Sequence, residues 1–134
     1  MKEASSHTTL YWLVREKKIE PDIFFSFLEL FWPKFVEKDG YVFLDDKYSE
    51  EEFSRLVKEK ASPEYWINLL TVGDFFSKLE NGDEKSEKFT KSLIEIWQEK
   101  LKRDFPDKNF TVQYIYDEEY GDCGLTFYQA SQWI

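Results

Sequence analysis

An α+β fold is expected for this chain of 134 residues, with four or five helices packed against a small antiparallel sheet built of β-hairpins. Three observations predict it. Apolar residues recur at helical spacing through the middle of the chain, most clearly at Phe89, Leu93, Trp97 and Leu101. After Phe105-Pro106-Asp107 the period switches from about 3.6 to about 2 residues, the mark of a strand facing two environments. Two turn signals, Asp39-Gly40 and the stretch from Asp117 to Gly124, each separate a pair of short β-prone runs.

In chain order, Thr8 to Lys17 fits either a helix or a strand. From Pro21 to Trp32 the sequence PDIFFSFLELFW is apolar nearly all round as a helix, with Asp22, Ser26 and Glu29 on one narrow polar stripe, so a helix buried on most sides is expected. Pro33 ends it near Phe31, because proline lacks a backbone donor and disfavours a helical residue before it. Asp39-Gly40 suits a type I′ turn, which needs two residues tolerant of positive φ. Ser49 with Glu52 has capping-box spacing and opens a helix in which Phe53, Leu56 and Val57 share a face. Ser62 caps again with Pro63 at the first helical position, and Tyr65, Trp66, Leu69 and Leu70 form an apolar stripe. Gly73-Asp74 breaks or re-caps that helix, and Glu80 to Asp83 reads as a loop. The longest helix runs from about Asp83 to Arg103, with Glu84-Lys88, Glu87-Lys91 and Glu99-Arg103 as i,i+4 pairs of favourable orientation. Beyond it, Phe110, Val112, Tyr114 and Tyr116 face one way, and Leu125, Phe127 and Gln129 continue the pattern after the acidic turn.

Length fits a single acidic domain over residues 1–134. Aromatic residues make up 19% of the chain, so the core must be built largely from rings. Cys123 is the one cysteine, which excludes an internal disulfide and points to a cytoplasmic location. No apolar run approaches the roughly 18 residues of a spanning helix, and the one from Leu10 to Val14 is too short for a secretory leader, so no membrane association is expected. A net charge of -9 without a segregated basic patch disfavours nucleic acid as a partner.

No motif for catalysis, metal binding or phosphate cradling stands out, and the expectation is no catalytic residue, no metal and no cofactor. His7 is the one histidine and lies near the terminus, and one Cys with one His does not make a tetrahedral zinc site. Cys123 follows Asp122, and neighbouring carboxylates work against a reactive thiolate, so it reads as an inert, partly buried cysteine. The five glycines never fall into a phosphate-binding pattern.

The acidity is concentrated at one end. From Asn109 to Ile134 there is no lysine, arginine or histidine, while Asp117, Glu118, Glu119 and Asp122 crowd around Tyr120 and Gly121. As a calcium loop this turn lacks the alternating ligand spacing and the closing glutamate. It fits either a solvated hairpin tip or a docking surface for a basic protein, with Tyr116, Tyr120, Tyr128 and Trp133 as aromatic anchors beside the carboxylates. The expected function is accordingly a non-catalytic protein-binding domain. In size and charge alone it resembles compact acidic inhibitors of basic enzymes, such as bacterial immunity proteins. Two alternatives stand beside it. A carboxylate-based enzyme or small-ligand binder would need an aromatic pocket holding a desolvated acid. A structural subunit of a larger assembly is favoured if the helix from Pro21 to Trp32 is exposed.

Overall fold

The computed structural model describes residues 6–119 and 122–130. Tyr120, Gly121 and Trp133 lie outside them. The chain divides into two compact units, Met1–Leu30 and Phe31–Ile134.

The first unit contains α1 (Ser6–Arg15) and all but the last residue of α2 (Ile23–Phe31). The ambiguous first segment is thus helical. α1 ends in a Schellman motif: Lys18 N–H reaches back to Leu13 O at 2.9 Å and Lys17 N–H to Val14 O at 3.0 Å, with Lys17 in the left-handed region at φ 58. α2 corrects the expectation of a buried helix, since none of its residues is buried. Phe25 is 65% and Leu28 60% exposed. The segment has the composition of a core helix, but it belongs to a unit of thirty residues, too small to enclose one.

The second unit is mixed α and β. β1 (Phe35–Lys38) and β2 (Tyr41–Leu44) form one antiparallel sheet, turning through Asp39 at φ 52 and Gly40 at φ 86, as the Asp-Gly pair predicts. α3 (Glu50–Lys58) starts on Ser49, whose Oγ accepts from Glu52 N–H at 3.1 Å, and α4 (Pro63–Ile67) starts on Ser62 with Pro63 in its first turn. Then follow β3 (Leu70–Thr71), α5 (Gly73–Phe76), α6 (Gly82–Asp104), β4 (Phe110–Asp117) and β5 (Asp122–Gln129). β3, β5 and β4 lie in that order in a second antiparallel sheet. Among the described residues, six helices and two antiparallel sheets make up the expected mixed α and β fold; the short α5 and the short strand β3 are additional to the elements expected, and the expected β1-β2 hairpin forms a sheet of its own.

The register of β4 on β5 pairs Val112 with Phe127, Tyr114 with Leu125 and Tyr116 with Cys123, so the apolar alternation in both strands falls on one face. α6 covers that face. Its Leu93, Trp97 and Leu101 are buried, and Trp97 meets Phe127 edge-on with ring centroids 6.0 Å apart. A second cluster of rings and aliphatics joins Phe43 of β2 to Phe53 and Leu56 of α3 and Ile67 of α4. Two helix faces differ from expectation. Val57 is 48% exposed because α3 turns only Phe53 and Leu56 inward. α4 ends at Ile67, so Leu69 and Leu70 are not helical, and its inward residues are Pro63, Glu64 and Ile67 while Trp66 is 53% exposed.

Gly124 is where the third strand crosses. A Cβ there would lie 2.2 Å from Leu70 O and 3.0 Å from Thr71 Cα, both backbone atoms that the pairing of β3 with β5 holds in place. Gly124→Ala is therefore expected to cost about 1–3 kcal/mol and to loosen β3. Trp97→Ala, which empties the centre of the α6 contact, is expected to cost about 3–5 kcal/mol. Urea titration of both variants checks these values, and a loss under about 1 kcal/mol at Trp97 would contradict the packing described.

Candidate functional site

Two groups of polar side chains merit a functional reading, one exposed and one buried. The exposed group is the acidic tip of the β4-β5 hairpin. β4 runs to Asp117 and β5 begins already at Asp122, so Asp122 to Gly124 are strand residues rather than part of the expected connection, and Asp117 and Asp122 are cross-strand partners. Asp117 Oδ1 accepts from Glu119 N–H at 2.9 Å, an Asx turn that fixes the start of the connection. Asp117, Glu118 and Glu119 are exposed. Among the described residues neither Glu118 nor Glu119 makes an ion pair. Asp122 behaves differently: it is only part-exposed and its carboxylate lies against Gly73, where a Cβ would come 2.0 Å from Oδ1.

Of the aromatic residues proposed to flank this tip, Tyr116 is half exposed and sits one residue before Asp117. Tyr128 is elsewhere. It pairs with Thr111 at the far end of the hairpin, on the opposite face from Tyr116, donates its hydroxyl to Gln113 Oε1 at 2.7 Å and stands against the ring of Tyr65. The structure thus gathers Asp117, Glu118, Glu119 and Tyr116 and sets Tyr128 apart. Cys123 is buried, its Sγ 3.6 Å from Thr90 Oγ1. Beside it, burial first and then the neighbouring Cys123 and Glu87 push the Tyr114 hydroxyl up to about 12, so it stays protonated at any physiological pH.

The buried group was not anticipated. Glu64 and Asn68 are both fully enclosed, one helical turn apart at the start and the C-cap of α4. Glu64 Oε1 accepts from Gln129 N–H at 2.8 Å, and Oε2 accepts from Val42 N–H and from Gln129 Nε2, each at 2.8 Å. Asn68 Oδ1 accepts from Leu44 N–H at 2.9 Å, while its Nδ2 donates to Val42 O at 3.0 Å and Phe127 O at 3.2 Å. Gln129 Nε2 also donates to Gly40 O at 2.9 Å. Among the described residues no buried side-chain nitrogen or oxygen lacks a partner. The signal in the sequence was Gln129: a polar residue continuing an apolar strand face needs a buried partner, and only a polar residue on a neighbouring element supplies one.

Removal from water raises the Glu64 carboxyl above its ordinary value; the three N–H donors and, more weakly, Lys108 pull the other way without reversing it. Raised pKa values of this kind often mark catalytic acids. Here both oxygens are saturated by backbone and Gln129 donors and the residue has no exposed surface, so no substrate atom reaches it. A depression of about 590 Å³ opens elsewhere, between α6 and the start of β4, lined by Glu99, Leu101, Lys102, Lys108, Phe110 and Val112 among others. It brings together one carboxylate and one ring and is not the aromatic pocket around a desolvated acid that a carboxylate enzyme would need. Among the described residues no three His, Cys, Asp or Glu side chains converge as metal ligands, and no helix is long and apolar enough to cross a membrane. No family model, curated protein or solved structure matches this chain at a significant level.

Glu64→Gln is expected to destabilise the fold by about 1–3 kcal/mol at neutral pH, because the amide nitrogen must face an N–H donor of Val42 or Gln129. The pH dependence follows from linkage. The folded state holds the Glu64 proton to a higher pH than the unfolded chain does, so the stability tied to this group is complete at acid pH. It declines as the pH rises from the ordinary glutamate range to the raised value, then levels off. Denaturation of wild type and Glu64→Gln across pH checks both points, and the variant should lack that decline.

Proposed function

We propose that this chain acts by binding another protein, as a non-catalytic domain or subunit, and one observation carries the reading. α2 is the most apolar helix of the chain, yet it buries none of its residues. Exposed apolar residues scattered singly are ordinary, but here Ile23, Phe25, Phe27 and Leu28 are exposed on one nine-residue helix, and Leu10, Tyr11 and Trp12 on the helix before it. Aromatic side chains in that density supply large contact area with few rotamers to immobilise, as at protein interfaces. This favours the reading of the chain as a component of a larger assembly.

A second reading is favoured by the hairpin tip. Glu118 and Glu119 stand exposed and without ion-pair partners among the described residues, next to Asp117 and the half-exposed Tyr116. A basic protein surface would relieve their mutual repulsion, and its approach would be steered by them. This is the inhibitor-like docking role, and it too needs no chemistry from the chain.

Photo-crosslinking in the source cells separates the two. A photoreactive residue at Phe25 or Leu28 is expected to yield a discrete protein adduct if α2 is the contact, and one at Glu118 if the tip is. A chain that yields no adduct from any of the three positions contradicts protein binding as its function.

A further inference from the structure

Among the described residues, β4 is the outermost strand of its sheet, with no strand paired to its free edge. Its hydrogen-bonding sense follows from its neighbour. Cys123 O accepts from Val72 N–H, Phe127 O from Asn68 and Gln129 N–H bonds to Glu64, so residues 123, 127 and 129 turn their backbone groups away from β4. Their cross-strand partners Tyr116, Val112 and Phe110, with Tyr114 between them, therefore turn their own N–H and C=O groups outward to the free edge. Among the described residues, no hydrogen bond reaches those groups from outside the strand. The strand spans eight residues, and its sequence FTVQYIYD contains no lysine, arginine or proline, and its register no bulge, the devices that ordinarily guard such an edge.

Two further features lie at opposite ends of this edge. At its start is the depression of about 590 Å³ beside α6, lined by Leu101, Phe110 and Val112 with Glu99, Lys102 and Lys108, of which Lys108 is also paired with Glu37 at 3.3 Å. At its end stand the half-exposed Tyr116 and the carboxylates of the tip. An antiparallel neighbour with the same sequence would bring each end onto the other.

We propose that the free edge of β4 pairs with the same edge of a second copy of this chain, antiparallel about a two-fold axis at Gln113. This deepens the reading of the tip as a docking surface and rests on it, naming a second copy as the occupant. The register is fixed by one requirement, that every outward-facing residue find an outward-facing partner inside the strand. Placing Gln113 opposite its own copy pairs Val112 with Tyr114 and Phe110 with Tyr116. The four outward residues of each chain then each donate and accept one bond, giving about eight between the copies. Aromatic rings face β-branched or aromatic partners on the α6 side of the sheet, the pairings that stabilise antiparallel strands most. Tyr116 of each copy enters the depression of the other beside Phe110. The tip carboxylates come over Lys102 and Lys108, so the charge asymmetry of the edge becomes complementarity across the axis.

Sedimentation and cysteine cross-linking test this with the full chain. Wild type is expected to dimerise between micromolar and millimolar concentration, more weakly as salt rises. In a Cys123→Ser background, Gln113→Cys sits opposite itself and is expected to form a disulfide-linked dimer on mild oxidation, whereas Thr111→Cys, whose partner is Ile115, is not. Lys102→Glu and the double variant Glu118→Lys, Glu119→Lys are each expected to weaken dimerisation at least tenfold, and an equimolar mixture of the two to recover it as a heterodimer. Lys108 is left in place because it also donates to Gly40 O. A wild type that stays monomeric up to millimolar concentration overturns the proposal, as does equal cross-linking at positions 111 and 113. If a monomeric wild type nonetheless loses binding to a basic protein on charge reversal of the tip, the self-pairing fails while the docking role of the tip stands.

Discussion

The second unit depends on two side chains doing the work of a strand. β2 ends one sheet with its outer backbone groups at Val42 and Leu44 unpaired by any strand, and β5 runs beyond the short β3 with Phe127 O and Gln129 N–H in the same position. Left buried and unbonded, each such group would cost on the order of 1–3 kcal/mol. Glu64 and Asn68 fill the gap from one face of α4: the carboxylate takes N–H groups from both sheets, and the amide takes one N–H and gives to two carbonyls. Asn68 suits its place because it needs to accept and donate at once, and Glu64 suits its own because every neighbour there is a donor.

The network is a poor source of net stability and a good source of uniqueness. Burying a carboxylate is costly, and the raised Glu64 pKa is the visible sign that its donors do not fully compensate. Stability comes instead from the ring clusters on either side: Phe43 with Phe53 under α3, and Trp97 with Phe127 under α6. Those clusters are made of similar side chains and would tolerate small slides of one sheet past the other. Directional bonds at 2.8 to 3.2 Å do not, so α4 sets the relation of the two sheets and thereby the position of β5 and of the hairpin it shares with β4.

Much of this was legible in the sequence wherever a local rule governed. Asp39-Gly40 specifies its turn, Ser49 and Ser62 cap their helices, Leu93, Trp97 and Leu101 of the α6 stripe are buried while Phe89 packs against Phe76 and Phe31, and the alternation in β4 and β5 sets their common face. What was not legible depended on tertiary context. Glu64 reads locally as an acid in a first helical turn, where it would ordinarily be solvated, and its burial follows only from the edges of β2 and β5 meeting there. The composition of α2 signals a buried helix but not the size of the unit it belongs to. Gly124 looks like freedom for the backbone and is instead space for β3. At the tip, four crowded carboxylates were evident in the sequence, yet only the structure separates Asp122, held against Gly73, from the exposed Glu118 and Glu119, and Tyr128 from Tyr116.

Hydrogen exchange of backbone amides measures the bridging role most directly. The amides of Val42, Leu44 and Gln129 have no strand partner and owe their protection to Glu64 and Asn68 alone, whereas Val72 N–H bonds to a strand carbonyl. If the two side chains hold the sheets together, all three exchange in the wild type only through global unfolding, as slowly as the amides at the centre of β5. In Asn68→Ala, protection at Leu44, whose N–H bonds to Asn68 Oδ1, then falls well below that of Val72, while the Val42 and Gln129 amides keep their bonds to Glu64. Fast exchange of Val42, Leu44 and Gln129 in the wild type, by local opening that leaves β5 protected, would contradict the account.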